Sequence, residues 1–331
     1  MKTRIEAAHR SEPAPPIVPL QRQVLSGATM GTRYAAVFYA PDVEDLGGLH
    51  RDLQATVDAV DAQMSTWKPE SALMQLNRAP AHVWCKVPGE LFAVLAAAME
   101  IGLLSDGAFD IGVGDLVAAW GFGSQAARSD EAPVPANSSA KQPAHLCLEL
   151  DYAQERVRKL AAVNLDLSGI AKGFGVDELA RVLAAHGILH FLVSIDGELR
   201  AEGGKPDGSP WRVAVEKPQT AHRAVEGVLE LTAGAVATSG DYRHFVERDG
   251  MRYGHTMDPR RGAPLADGLA GVTVLAETCM AADAWATAML VLGPRTGAAL
   301  ASRHGIEALF IDQVLVAASD PITTPKITKE N

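Results

Sequence analysis

The sequence predicts an α+β fold, with mixed β-sheets and flanking helices. Strand-like and helix-like patterns alternate irregularly along the chain, and several hairpin signals interrupt them. A doubly wound parallel sheet would show a regular strand–helix–strand rhythm instead. No internal repeat is evident.

In chain order, residues 1–24 read as a flexible arm, proline-rich between Pro13 and Val18. A strand pair is predicted near Thr32, where the segment through Tyr39 is rich in strand formers. Leu46, Leu49, Leu53, Val57, Val60 and Met64 follow Val43 at helical spacing. Pro88 opens a second helix at its first turn, with Leu91, Val94, Leu95 and Ala98 on one face, and Asp106-Gly107 stops it. Over 124–145 the chain turns to Ser, Ala, Pro, Asn and Lys, which predicts an exposed, variable loop. Strands are predicted over 146–150, 163–167, 191–195, 199–202 and 211–216. A third helix over 171–185 turns Val176, Leu179, Ala180 and Leu183 inward. The Asp249-Gly250 pair is a hairpin signal. A helix over 281–292 and a strand over 308–311 close the domain, and 316–331 reads as tail.

Composition bounds the partners. With 331 residues, 47% hydrophobic and 21% charged, the chain can fill a core for one large domain or two closely joined ones. Its net charge of −10 repels phosphate backbones, so no nucleic acid is expected as a general partner. A local basic site can still hold one small anion. Cys85, Cys147 and Cys279 form no CxxC pair and read as buried thiols in a reducing compartment. The first residues show neither a signal-peptide core nor an early cysteine for lipid attachment. The apolar run over 281–292 is too short to span a membrane and contains Asp283, so no membrane span is expected. The chain as it stands is expected in the cytoplasm; removal of a leader would make it periplasmic.

Several residue groups carry candidate chemistry. In Asp283-Ala-Trp-Ala-Thr287, a carboxylate and a hydroxyl share one helix face, about 6 Å apart at Cβ. Two hard oxygens suit Mg²⁺, which completes its shell with water and phosphate; spacing alone favours the other reading, a capping Asp beside a back-bonding Thr. Asp166-Leu-Ser-Gly-Ile-Ala-Lys-Gly173 runs from a strand through a glycine turn into a helix. Helix-start amides and Lys172 suit phosphate, and the Gly169 carbonyl is open to a metal; an ordinary strand-to-helix turn remains the alternative. The GxxxxGK[ST] spacing of a P-loop is absent. Gly121-Phe-Gly-Ser-Gln-Ala126 fits G-x-G-x-x-A in letters, yet polar loop follows it, so the dinucleotide-fold context fails. His255, before an Asp-Pro turn, reads as a general base facing a cleft or as a structural histidine.

Together and in order, these motifs resemble the FAD:protein FMN transferases of the ApbE family. The matching stretches are Thr29-Met-Gly-Thr32; Met64-Ser-Thr-Trp67 with Ser71 and Leu76-Asn77; Gly107-Ala-Phe-Asp110 with Val113-Gly114; and Asp166 to Gly173. Further matches are Asp196-Gly-Glu198, Thr238 to Tyr242, His255 with Asp258-Pro259, and Ala282-Asp-Ala with Ala286-Thr287. The resemblance implies one catalytic domain over 25–315, with FAD held in a cleft between two closely joined lobes. It implies that Met30, Trp67, Ala108, Phe109, Asp110, Asp166, Lys172 and Met257 contact FAD. It implies Mg²⁺ held by the Gly169 carbonyl, Asp283 and Thr287, with His255 as base and Asp283 also catalytic. The implied reaction passes FMN from FAD to a Thr or Ser hydroxyl of an acceptor flavoprotein, with release of AMP. A Mg²⁺-dependent FAD pyrophosphatase and a non-catalytic FAD-binding protein are the alternatives. Departures from the family pattern are the single glycine of Asp-Leu-Ser-Gly169, Met257 where isoleucine is usual, and Asp196-Gly197 for a commoner Gly-Gly. Ser26-Gly-Ala-Thr29 is similar to a flavinylation acceptor site, but Gln23 replaces the Asp that precedes such sites, so it reads as strand entry.

Overall fold

The computed structural model describes residues 19–41, 45–123, 142–217, 224–240, 245–248, 251–265 and 269–312. In chain order, β1 (Gln21–Thr29), β2 (Thr32–Ala40), α1 (Leu46–Met64), α2 (Ala72–Arg78), β3 (Trp84–Lys86) and α3 (Gly89–Leu104) come first. A 3₁₀ turn (Ile111–Val113), α4 (Gly114–Ala119), α5 (Ala144–Cys147), β4 (Leu148–Asp151), β5 (Arg156–Lys159) and α6 (Ala171–Ala185) follow. Then come β6 (His190–Ile195), β7 (Glu198–Glu202), β8 (Trp211–Lys217), β9 (Ala224–Leu231), β10 (Gly234–Ser239), β11 (Phe245–Arg248) and β12 (Met251–Gly254). The last are β13 (Met257–Asp258), β14 (Ala263–Pro264), β15 (Leu269–Ala276), α7 (Cys279–His304) and β16 (Glu307–Asp312).

The centre is a seven-stranded sheet in the order β1-β2-β6-β7-β10-β15-β16. Period-two alternation gives each strand two different faces. Tyr34, Ala36, Phe38, Phe191, Val193 and Ile195 pack with Leu49, Leu53 and Val57 of α1 and Val176, Leu179 and Leu183 of α6. Val37, Tyr39, Leu192, Leu199 and Ala201 turn the other way, onto Trp211, Val215 and Leu229 of the β8–β9 hairpin. A third core joins α3 and α7 to the coil at 163–167. The α+β class therefore stands. Every ladder among the described residues is antiparallel.

Local signals account for several helix ends. Asp45 caps α1 by accepting from the Gly48 amide, and Ser71 caps α2 by accepting from the Met74 amide. Pro88 stands just before α3, one position earlier than predicted. The helix predicted over 281–292 is the first part of α7, which breaks at Gly293 (φ 73°) ahead of Pro294 and resumes to His304. β1 begins at Gln21, inside the predicted arm, and the predicted strand over 146–150 opens as the short α5. Segment 163–167 joins no sheet. Strands β11 and β12 pair as the hairpin signal predicts, while Asp249-Gly250 itself lies outside the described residues. So do 124–141 of the predicted loop, 1–18 of the arm and the whole of 316–331. Cys147 and Cys279 are buried and Cys85 is half-buried, all as free thiols. No helix among the described residues is long and apolar enough to cross a membrane.

Candidate active site

A cleft of about 660 Å³ opens at one end of the central sheet, within the roughly 300–1,000 Å³ of small-molecule sites. The β1–β2 and β6–β7 turns, the end of β10, the start of α6 and one face of α7 converge on it. Val213, Val215 and Leu229 of the β8–β9 hairpin form an apolar wall. Met30, Trp67, Ala108, Phe109, Asp110, Asp166, Gly169, Lys172, His255, Met257, Asp283 and Thr287 all line this one cavity.

The β1–β2 hairpin closes on Met30-Gly31, both at positive φ (46° and 73°), as a two-residue primed turn requires. The turn brings the Met30 side chain to the start of α6: a Cβ on Gly175 would sit 3.2 Å from Met30 Cε. Trp67 follows the C-terminus of α1 and is 70% exposed at the cleft. Phe109 and Ala108 are buried, and the Phe109 amide donates to Ser105 Oγ at 3.0 Å. Asp110 Oδ1 accepts from the amides of Gly112 (2.8 Å) and Ala144 (2.9 Å). Burial raises its pKa, and these two amides and His145 oppose the rise.

Asp166 is held through its backbone. Its amide donates to the Ile111 carbonyl at 2.8 Å, and its side chain accepts from the Ser168 amide at 2.8 Å. Next to it, Asn77 grips Leu165 as a strand partner would, donating to its carbonyl (2.9 Å) and accepting from its amide (2.8 Å). Of the turn predicted to cradle phosphate, the Ile170 and Ala171 amides bond to the Leu167 carbonyl and the Gly173 amide bonds to Asp283. The Lys172 ammonium beside this turn pairs with Glu198. Burial alone would lower the Lys172 pKa; the nearby carboxylates of Glu198, Asp283 and Asp196 outweigh it and raise the value.

Asp283 and Thr287 share the cleft face of α7, as spacing predicts. Asp283 does cap a helix, but the helix is α6 and not its own: Oδ2 accepts from the Gly173 amide at 3.0 Å. The Thr287 hydroxyl lies 3.0 Å from Ser239 Oγ. Gly169 is against Thr287, since a Cβ there would be 3.1 Å from Thr287 Oγ1. Burial pushes the Asp283 carboxyl up to about 7, against the pull of Lys172 and with a further push from Glu198. Among the described residues no three His, Cys, Asp or Glu side chains converge as a metal cage. The donors that do converge, a carboxylate, a hydroxyl and a glycine backbone, suit a hard cation that keeps water ligands.

His255, between β12 and β13, is exposed at the cleft, with the Phe122 ring centroid 6.5 Å from its own. Met257 is buried beside it. Glu198 and Ser239 also line the cleft, although spacing gave them no role. Glu198 is 3% exposed, and a glutamate one residue past a turn gives no sequence sign of such burial.

The chain resembles known proteins over most of its length. A family model described as the ApbE family matches residues 30–310. An FAD:protein FMN transferase from Vibrio cholerae is 38% identical over 298 residues, 88% of each chain. One from Escherichia coli K12 is 36% identical over 297 residues, covering 87% of this chain and 83% of that one. The solved flavin transferase ApbE from Vibrio cholerae aligns at a TM-score of 0.81 and 36% identity, covering 90% of this chain and 95% of that one. The apo form of Pseudomonas stutzeri flavinyl transferase ApbE aligns at 0.80 and 37% identity, covering 90% and 93%. By sequence and by fold, the chain belongs to the ApbE family.

Proposed function

We propose that the chain is a Mg²⁺-dependent FAD:protein FMN transferase. One observation carries the reading: cation-type oxygens, a cationic lysine and a histidine border a single cavity that also has an apolar wall. The relatives named above are called FAD:protein FMN transferases, which supports the transfer and leaves the metal to the donor chemistry.

In this reading FAD lies along the cleft. The exposed Trp67 indole offers a flat apolar surface to a flavin or adenine ring. Lys172 faces the pyrophosphate, and the Gly169 carbonyl, Asp283 and Thr287 would hold Mg²⁺ in the same cleft. When bound, the cation would neutralise charge on the phosphates. His255 accepts the proton of a Thr or Ser hydroxyl on the acceptor flavoprotein. The hydroxyl oxygen bonds to the phosphorus on the FMN side, the phosphorus–oxygen bond to AMP breaks, and AMP leaves with that electron pair. The open position of His255 suits a protein acceptor, because its attacking side chain must enter from outside.

The test is incubation with FAD, Mg²⁺ and a purified candidate acceptor. The expected result is flavin fluorescence that stays on the acceptor through denaturation, with AMP released in equal amount. Free FMN without labelled acceptor would replace transfer by hydrolysis. Unchanged FAD with active acceptor would leave a binding protein.

A further inference from the structure

We propose that Glu198 is a positioning residue: it holds the Lys172 ammonium off Asp283 and so keeps the Asp283 carboxylate available to a divalent cation. This rests on the reading of Asp283 as a cation ligand and gives a function to a residue outside that reading. Glu198 opens β7 directly after the 196–197 turn, where Asp196 has a φ of 58°. One of its carboxylate oxygens takes the Lys172 ammonium. The other, Oε2, is buried and finds no hydrogen-bond partner among the described residues. Burying a carboxylate with an oxygen unmet is unfavourable, and an apolar side chain would fill the space with less desolvation. Packing alone therefore does not account for Glu198.

Lys172 has a second carboxylate at hand. The amide of its neighbour Gly173 donates to Asp283 Oδ2 at 3.0 Å, and both side chains face the same cavity. Of the carboxylates that favour the charged lysine, Asp283 ranks after Glu198 and ahead of Asp196, which is exposed on its turn. With Glu198 neutralised, the ammonium turns to Asp283. An ammonium and a divalent cation on one carboxylate repel each other, so the lysine then competes with the metal.

The probe is Mn²⁺, titrated into the full chain with saturating FAD and no acceptor, and read as loss of the free-ion electron paramagnetic resonance signal. Glu198→Gln keeps the shape and removes the charge. It is expected to weaken Mn²⁺ binding on the order of tenfold, the usual size of an outer-shell effect. In a Lys172→Met background the same substitution is expected to change nothing, because the competitor is gone. A tenfold loss that persists in that background would mean that Glu198 acts through its own charge, which overturns the positioning role. Unchanged binding in the single variant overturns it too. Asp283→Asn separates the claims. Mn²⁺ uptake that survives Asp283→Asn, or no uptake by the unaltered protein, overturns the cation-ligand reading itself. Uptake lost in Asp283→Asn but unmoved in Glu198→Gln overturns the positioning role alone. Thermal melting of each variant confirms that the fold is intact.

Discussion

The backbone amide of Gly173 donates to Asp283 Oδ2 at 3.0 Å, tying the first turn of α6 to the cleft face of α7. The helices touch at the same point. A Cβ on Gly173 would lie 2.3 Å from the Cys279 carbonyl oxygen and 2.8 Å from Asp283 Cβ. The Cys279 oxygen is backbone and cannot swing aside, so α6 and α7 must shift against each other. Gly173→Ala is expected to cost about 1–3 kcal/mol, as overpacking does, and to shift Asp283 with its helix. Melting temperature and flavin transfer should fall together. An unchanged melting temperature would contradict the close crossing.

Asn77 makes a second prediction from geometry. Its side chain is the hydrogen-bond partner of Leu165 on both sides, and Leu165 is 1% exposed. Asn77→Ala leaves a buried amide and a buried carbonyl unmet, at about 1–3 kcal/mol for each group. Asp166 is the next residue and lines the cleft, so FAD affinity is expected to weaken along with stability. Equilibrium FAD binding by fluorescence quenching measures this. A variant that melts lower yet binds FAD as before would show that Asn77 serves the fold alone.

The same contact explains what sequence reading could and could not see. The 163–167 segment has strand chemistry, alternating Val163, Leu165 and Leu167, and all three are buried. It joins no ladder because a side-chain amide 88 positions away does the pairing, and no local pattern encodes that. α6 was legible because its buried residues repeat at helical spacing, and α1 for the same reason. α2 has seven residues, too few for a period to emerge, although the Ser71 cap was a usable signal. Strand order is not legible locally because it depends on distant partners: β10 lies between β7 and β15. The twelve site residues that the family resemblance implies line one cavity. Glu198 stood in a quoted motif, but its buried pairing with Lys172 exists only in three dimensions.

Asp283 sets a pH dependence in metal-free protein. Burial, with Glu198 adding to it and Lys172 and the Gly173 amide opposing, raises its pKa from 3.8 to about 7. The folded protein thus holds this proton more tightly than the unfolded chain does. Its stabilising contribution is whole below the unfolded value and is withdrawn as pH rises to about 7. Asp283→Asn removes the buried charge, so with chelator present its melting temperature should gain on the unaltered protein from about pH 5 to about pH 8. Added Mg²⁺ should reverse the order at the alkaline end, because a ligand that binds only the folded state stabilises it. A melting difference that is flat with pH would remove Asp283 as the titrating group.

His255 bears on the chemistry itself. It stands exposed at the cleft between β12 and β13, beside Phe122, and the buried core gains little from its ring. Its loss should therefore leave the fold and FAD binding nearly unchanged. If it takes the proton of the attacking hydroxyl, His255→Ala is expected to lower kcat on the order of 10²-fold or more. The dissociation constant for FAD should move far less, since a base acts in the transition state and not in ground-state binding. Single-turnover transfer to the acceptor, measured next to FAD binding by fluorescence, separates the two effects. A variant that keeps its transfer rate would take the base role from His255 and leave proton removal to another group or to water.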